Sequence, residues 1–74
     1  MPSVPLHRRV LGDALRVHRK RAKLTQEALA EKTGLSVVFI SLLENGRRTV
    51  SVDALLRIAR ALHVELKDLV RSIK

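Results

Sequence analysis

The chain has 74 residues, 46% of them hydrophobic, and a net charge of +8 with its histidines neutral. This length allows one domain, and a domain so small has a marginal core that often needs a cross-link or a partner subunit. The sequence has no cysteine, which excludes disulfides and thiolate metal sites. The histidines His7, His18 and His63 share no ligand spacing. We therefore expect no metal and no cofactor.

The positive charge favours a polyanionic partner, and duplex DNA, structured RNA and an acidic membrane surface all satisfy that condition. Proteins that bind single strands usually stack bases on aromatic rings, and Phe39 is the one aromatic residue. No segment approaches the roughly 20 apolar residues that span a bilayer. The N-terminus also lacks the apolar run of a signal peptide. We expect a cytoplasmic protein that does not bind membranes.

The first half of the chain predicts an arm and two helices. Residues 1–7, which include Pro2 and Pro5, suggest a flexible arm before a domain at 8–74. Helical spacing of apolar residues predicts a first helix over 8–23. Thr25 is a suitable N-cap for a second helix, and Gly34 can take the left-handed conformation that ends it.

The second half predicts three more helices. Ser36 caps a helix over 36–45, and Ser51 caps a fourth helix. The fourth helix is expected to bury Val52, Leu55, Leu56, Ala59 and Leu62. It ends near His63, which can adopt a left-handed conformation less readily than glycine. A short fifth helix follows, imperfectly capped by Glu65. With no strand-like alternation, the sequence predicts an all-α, compact bundle of five short helices.

Residues 25–45 have the pattern of a helix-turn-helix. Two short helices are joined by a tight turn that contains Gly34, as that motif requires. Ala30 lies where the helices would cross, and its small side chain permits a close approach. The inward positions are held by Leu29, Leu35, Ile40 and Leu43. We therefore predict that helices 2 and 3 form a DNA-binding motif.

Four motifs extend this pattern over about residues 9–70: LTQEALA at 24–30, TGLS at 33–36, IS at 40–41 with LENG at 43–46, and LLRIARAL at 55–62. They resemble the Cro and phage-repressor-like helix-turn-helix family, often called XRE-type. The resemblance implies a lambda-repressor-like domain that binds double-stranded DNA with helix 36–45 in the major groove. It implies a phosphate contact by Gln26 and a buried structural ion pair between Arg19 and Glu44.

The outward face of helix 36–45 is unusually apolar, with Val37, Val38, Ser41 and Leu42 as the expected base readers. Guanine and adenine are usually read by Arg, Lys, Asn or Gln. The valines could instead contact thymine methyl groups, or the face could be a protein interface, or the helical register could be shifted by one residue. The anchors at Ala30 and Gly34 oppose a shifted register, and we favour thymine contacts.

Polar and basic residues flank this face and are expected to contact phosphates, which position a protein without specifying sequence. The expected phosphate contacts are Lys23, Gln26, Ser36, Phe39, Asn45, Arg47 and Arg48.

The leading hypothesis is a sequence-specific transcriptional regulator, bacterial or phage-encoded and nucleoid-associated, that binds a pseudo-palindromic operator as a homodimer. The expected dimer interface is Leu66, Leu69, Val70 and Ile73. Family members of this size include phage repressors, restriction–modification controllers and antitoxins, the last with a protein partner. The alternative is a protein-interaction module that uses Val37, Val38 and Leu42. The carboxylates have no nucleophile, metal cluster or phosphate loop beside them, so we do not expect an enzyme.

Overall fold

The computed structural model describes residues 4–71 and contains five α-helices in that range, with no strand. They are α1 (Leu6–Arg21), α2 (Gln26–Thr33), α3 (Val37–Glu44), α4 (Val52–Leu62) and α5 (Leu66–Val70). The predicted all-α, five-helix bundle is confirmed. None of the described helices is long and apolar enough to cross a membrane.

Helix α1 begins at Leu6 and not at Arg8 as predicted. The Pro5 carbonyl accepts hydrogen bonds from the backbone N–H groups of Arg8 and Arg9, both at 3.1 Å. A proline has the backbone φ that a helix start needs, here −56°, and lacks only an N–H that would be unpaired there. Residues 6 and 7 therefore belong to the helix and not to the predicted arm. Residues 1–3 of that arm lie outside the described range.

The same helix ends at Arg21, two residues before the predicted end, because Lys23 is left-handed with φ 60°. The Lys23 N–H donates to the Lys20 carbonyl at 2.9 Å, and the Leu24 N–H donates to the Arg19 carbonyl at 3.1 Å. This pair of bonds is the Schellman arrangement, which satisfies carbonyls at a helix end.

The predicted hydroxyl caps are confirmed. The side chains of Thr25, Ser36 and Ser51 accept hydrogen bonds from the third backbone N–H beyond each of them, at 3.0, 3.0 and 3.1 Å. Gly34 and His63 are left-handed, with φ 73° and 58°.

The backbone N–H groups at the start of α5 are better paired than the sequence predicts. The Asp68 carboxylate accepts a hydrogen bond from the Glu65 N–H at 3.0 Å. The expectation of an imperfect cap was wrong, because the side chains of Glu65 and Asp68 form a reciprocal capping box at the start of the helix.

The core takes one nearly inaccessible side chain from every helix. Leu15, Leu29, Ile40, Ile58 and Leu69 are each at most 2% exposed. The buried stripe of α4 runs through Leu55, Ile58, Ala59 and Leu62. The prediction that Val52 and Leu56 lie on this stripe was wrong, since Val52 is 64% exposed and Leu56 is half-buried. A stripe with steps of three and four residues passes through Ile58 instead.

Gly12 lies where α1 crosses the end of α3. A Cβ atom built on Gly12 would be 2.5 Å from the Leu43 carbonyl oxygen and 2.6 Å from that of Glu44. Both neighbours are backbone atoms, so they cannot move aside as a flexible side chain would. The absence of a side chain at Gly12 therefore sets the distance between the two helices.

We predict that Gly12→Ala destabilises the domain by about 1–3 kcal/mol, because overpacking forces the backbone to shift. Helix propensity alone predicts the opposite sign, a gain of about 1 kcal/mol. Urea denaturation followed by circular dichroism measures the difference. An unfolding midpoint higher than that of the wild type would contradict the close crossing.

Candidate nucleic-acid interface

The turn between α2 and α3 is held by a buried threonine. The Thr33 hydroxyl donates to the Leu29 carbonyl at 2.8 Å and accepts from the Leu35 N–H at 3.3 Å. Ala30 is 6% exposed, as a residue at a tight helix crossing should be. These contacts hold the end of α2 and the turn that leads into α3 as one unit.

A buried ion pair joins this unit to α1. Arg19 Nε lies 2.6 Å from Glu44 Oε2, and Arg19 Nη2 lies 3.0 Å from Glu44 Oε1. Arg19 Nη1 also donates to the Leu24 carbonyl at 2.8 Å, and Gln26 Nε2 donates to Glu44 Oε1 at 3.1 Å. The Glu44 side chain is only 3% exposed. One carboxylate thus links α1 with the end of α3 and the start of α2.

The hydrogen bonds that Arg19 donates to the Glu44 carboxylate raise the pKa of its guanidinium above the ordinary value, against the opposing effect of burial. A raised arginine pKa means that deprotonation of Arg19 removes this stabilisation only in strong alkali. Arg19 is therefore a cation throughout the neutral range.

The outward face of α3 is accessible to a ligand. Val37 is 38% exposed and Val38 is 65% exposed, while Ser41 and Leu42 are half-buried. An α-helix with its side chains is about 10–12 Å in diameter, which fits the width of the major groove of B-DNA, about 12 Å. The face offers methyl groups and one hydroxyl, without a long polar side chain.

Several of the expected phosphate contacts meet at the end of α3. The bond between Gln26 and Glu44 places the start of α2 beside the end of α3, next to Asn45. The second hydrogen of Gln26 Nε2 remains available to an external acceptor. Lys23 and Arg47 are exposed. Asn45 is exposed too, although its Nδ2 already donates to the Ser41 carbonyl at 2.8 Å.

The structure gives Phe39 a different role from the expected one. Its backbone N–H donates to the Ser36 hydroxyl, so that group is not free for a phosphate. Its ring is half-buried against the core and lies 5.6 Å from the Arg48 guanidinium carbon, a cation–π contact. Phe39 therefore positions Arg48. The two residues are nine positions apart in the sequence, and no helical periodicity connects Phe39 with a residue in the loop. Ser36 is exposed and keeps its hydroxyl hydrogen for an external acceptor.

The residues expected at a dimer interface separate into three groups. Leu69 is fully buried in its own chain, so the expectation that it contacts a partner was wrong. Leu66 and Val70 pack against the core but remain half-buried, with part of each surface accessible. Ile73 lies outside the described residues.

Comparison with known proteins agrees with this geometry. A family model described as a helix-turn-helix domain matches residues 10–72. An uncharacterized HTH-type transcriptional regulator from Methanothermobacter thermautotrophicus is 48% identical over 54 residues, which cover 69% of this chain and 78% of that protein.

Two solved structures have the same fold. The restriction–modification controller protein C.AhdI from Aeromonas hydrophila has a TM-score of 0.82 and 35% identity, covering 84% of this chain and 94% of that one. The P22 c2 repressor, crystallised with a synthetic operator, has a TM-score of 0.77 and 31% identity, covering 82% of this chain and 92% of that one. This chain belongs to the XRE-type helix-turn-helix family, and it is a DNA-binding transcriptional regulator.

We predict that Glu44→Ala lowers the free energy of unfolding by about 3–5 kcal/mol, because it leaves the buried Arg19 charge without a partner. The control is Asp13→Ala, which removes an exposed carboxylate 2.8 Å from Arg16 and should cost about 0–1 kcal/mol. Equilibrium unfolding in urea measures both. Equal losses in the two variants would show that the buried pair contributes no more than a surface one.

Proposed function

We propose that this regulator recognises specific duplex DNA by placing α3 in the major groove, and that two copies bind an inverted-repeat operator. The observation that supports this most strongly is the arrangement around α3. An accessible apolar face is flanked by hydrogen-bond donors and cations at the end of the helix, and the rear of the helix is locked to α1 by the Arg19–Glu44 pair.

In this proposal Val37 and Val38 read thymine through its C5-methyl group, and the Ser41 hydroxyl and Leu42 complete the base contacts. Methyl groups are present only on the major-groove edge of thymine, so apolar contact alone distinguishes A·T from G·C pairs. Removing one methyl-sized group from water contributes about 0.8 kcal/mol, or roughly a fourfold change in affinity. The remaining specificity would come from sequence-dependent DNA shape.

The phosphate contacts of the proposal are Lys23, Gln26, Ser36, Asn45, Arg47 and Arg48. The starts of α2 and α3 add free backbone N–H groups and a partial positive charge, which favour anions. The stacking of Arg48 on Phe39 holds its guanidinium close to the edge of α3 before DNA arrives. A pre-positioned side chain loses less conformational entropy on binding.

The alternative, a protein-interaction module, is less well supported. Apolar patches that bind proteins usually extend over several hundred Å², whereas the strongly exposed apolar residues of α3 are two adjacent valines in the described range. Lys23, Arg47 and Arg48 around them suit a polyanion better than an apolar protein surface.

Homodimer binding is consistent with the size of the chain. Recognition helices of dimeric helix-turn-helix proteins lie about 34 Å apart, one turn of DNA. The molecule measures 33 × 24 × 22 Å, so two copies in contact can achieve that spacing without a linker. Leu66 and Val70 provide the accessible apolar surface on α5 for such a contact.

Similarity to a restriction–modification controller and to a phage repressor supports a role as a small controller or repressor. Such a protein would act in the cytoplasm, where its DNA partner is. Its activity would be occupancy of an operator and not catalysis.

We predict that the logarithm of the affinity for duplex DNA falls linearly with the logarithm of the salt concentration. The reason is that Lys and Arg side chains bound to phosphates displace counterions from the DNA. Arg47→Ala should reduce the magnitude of that slope by about one unit and weaken binding to all sequences alike. Fluorescence anisotropy across a salt series, with a labelled duplex, measures the slope.

The control for this experiment is Lys32→Ala, which also removes one positive charge. Lys32 lies near the end of α2 that is remote from Gln26, so this variant should leave the slope unchanged. Binding that does not depend on salt would refute the proposed interface. An altered sequence preference in Arg47→Ala, at unchanged affinity, would make Arg47 a base reader.

A further inference from the structure

A small cavity of about 180 Å³ lies between α1 and the loop that joins α3 to α4. Its apolar lining comes from Leu11, Leu43 and Val50, which pack on or within the core. Its other lining residues include His7 and Arg8 from α1 and Arg48 from the loop. The lining thus combines apolar side chains with side chains that carry hydrogen-bond donors.

The charged side chains that line the cavity, Arg8 and Arg48, are both positive. Two arginines and one histidine line the cavity, and no carboxylate lines it within the described residues. In the same part of the chain, the ion pairs involve Arg16, Arg19 and Lys67, and neither Arg8 nor Arg48. A cavity with an apolar floor and a few convergent polar groups is the usual form of a small-molecule site.

We propose that this cavity binds a small monocarboxylate with an apolar body, such as an aromatic acid. The apolar part would contact Leu11, Leu43 and Val50, and the carboxylate would pair with Arg8 and Arg48. Guanidinium groups bind carboxylates through two parallel hydrogen bonds. The volume suits one ring, since an engineered apolar cavity of about 150 Å³ accepts benzene.

This site is coupled to DNA binding through Arg48, and the coupling rests on the proposed function. Arg48 lines the cavity and also stacks on Phe39 of α3. A carboxylate in the cavity and a DNA phosphate compete for the same guanidinium. A bound acid therefore weakens DNA binding, and by reciprocity DNA weakens binding of the acid.

The first test is an NMR titration of the full chain with benzoate in the absence of DNA. We expect shifts concentrated at residues around the cavity and a dissociation constant on the order of 1 mM, typical of so small a ligand. Benzamide lacks the charge, and acetate lacks the apolar body. Both should bind at least about tenfold more weakly. Equal binding of benzamide, or shifts spread over all the basic residues, would overturn the proposal.

The matched variants are Arg8→Gln and Arg9→Gln, which remove the same charge from adjacent positions on α1. Arg8 lines the cavity, whereas Arg9 is exposed and does not. We expect Arg8→Gln to weaken benzoate binding at least about fivefold and Arg9→Gln to leave it unchanged. Equal effects of the two substitutions would show that benzoate is attracted by the basic surface in general and not bound by this cavity.

The coupling is tested by DNA affinity with and without saturating benzoate, at constant ionic strength. Benzoate should weaken DNA binding several-fold in the wild type and have little effect in Arg8→Gln. Benzoate that binds but leaves DNA affinity unchanged would overturn the coupling through Arg48. A chain that binds no duplex would overturn the proposed function, and the titration without DNA would still decide the cavity.

Discussion

The buried pair between Arg19 and Glu44 is the constraint on which the rest of the interface depends. A carboxylate that is 3% exposed is tolerable only with a charged partner and further hydrogen bonds. Glu44 obtains them from α1 and from the start of α2, through Arg19 and Gln26. The pair therefore holds three helix segments in one arrangement. The α1–α3 crossing at Gly12, where backbone meets backbone, brings the same segments within reach.

With its rear face locked, α3 presents an outward surface whose chemistry is set by few side chains. In the proposed interface, the groups that contact phosphates are polar and basic residues. The unusual feature is the proposed reading surface, where the exposed Val37 and Val38 supply methyl groups in place of long donors. This combination favours recognition of thymine and DNA shape over the bidentate reading of guanine. Arg48 belongs to both proposed sites, since it contacts Phe39 of α3 and also lines the cavity beside α1.

The parts of the fold that depend on local chemistry were predictable from the sequence. The hydroxyl caps at Thr25, Ser36 and Ser51 and the left-handed Gly34 occur where residue type alone placed them. The features that the sequence did not predict depend on packing between residues that are distant in the sequence. The burial of Leu69, the exposure of Val52, the close approach at Gly12 and the support of Arg48 by Phe39 all depend on how helices meet. The predicted arm over residues 1–7 places the start of α1 too late, since a proline such as Pro5 suits a helix start.

The central claim is that an apolar α3 reads duplex DNA, and the most direct test is selection from a random duplex pool. The wild type and the double variant Val37→Ala, Val38→Ala would be compared under identical salt conditions. We expect the wild type to enrich an inverted repeat with half-site centres about 34 Å apart. Each half-site should contain thymines whose enrichment is lost in the double variant. The absence of any enriched sequence, or retention of the same thymines by both proteins, would contradict it.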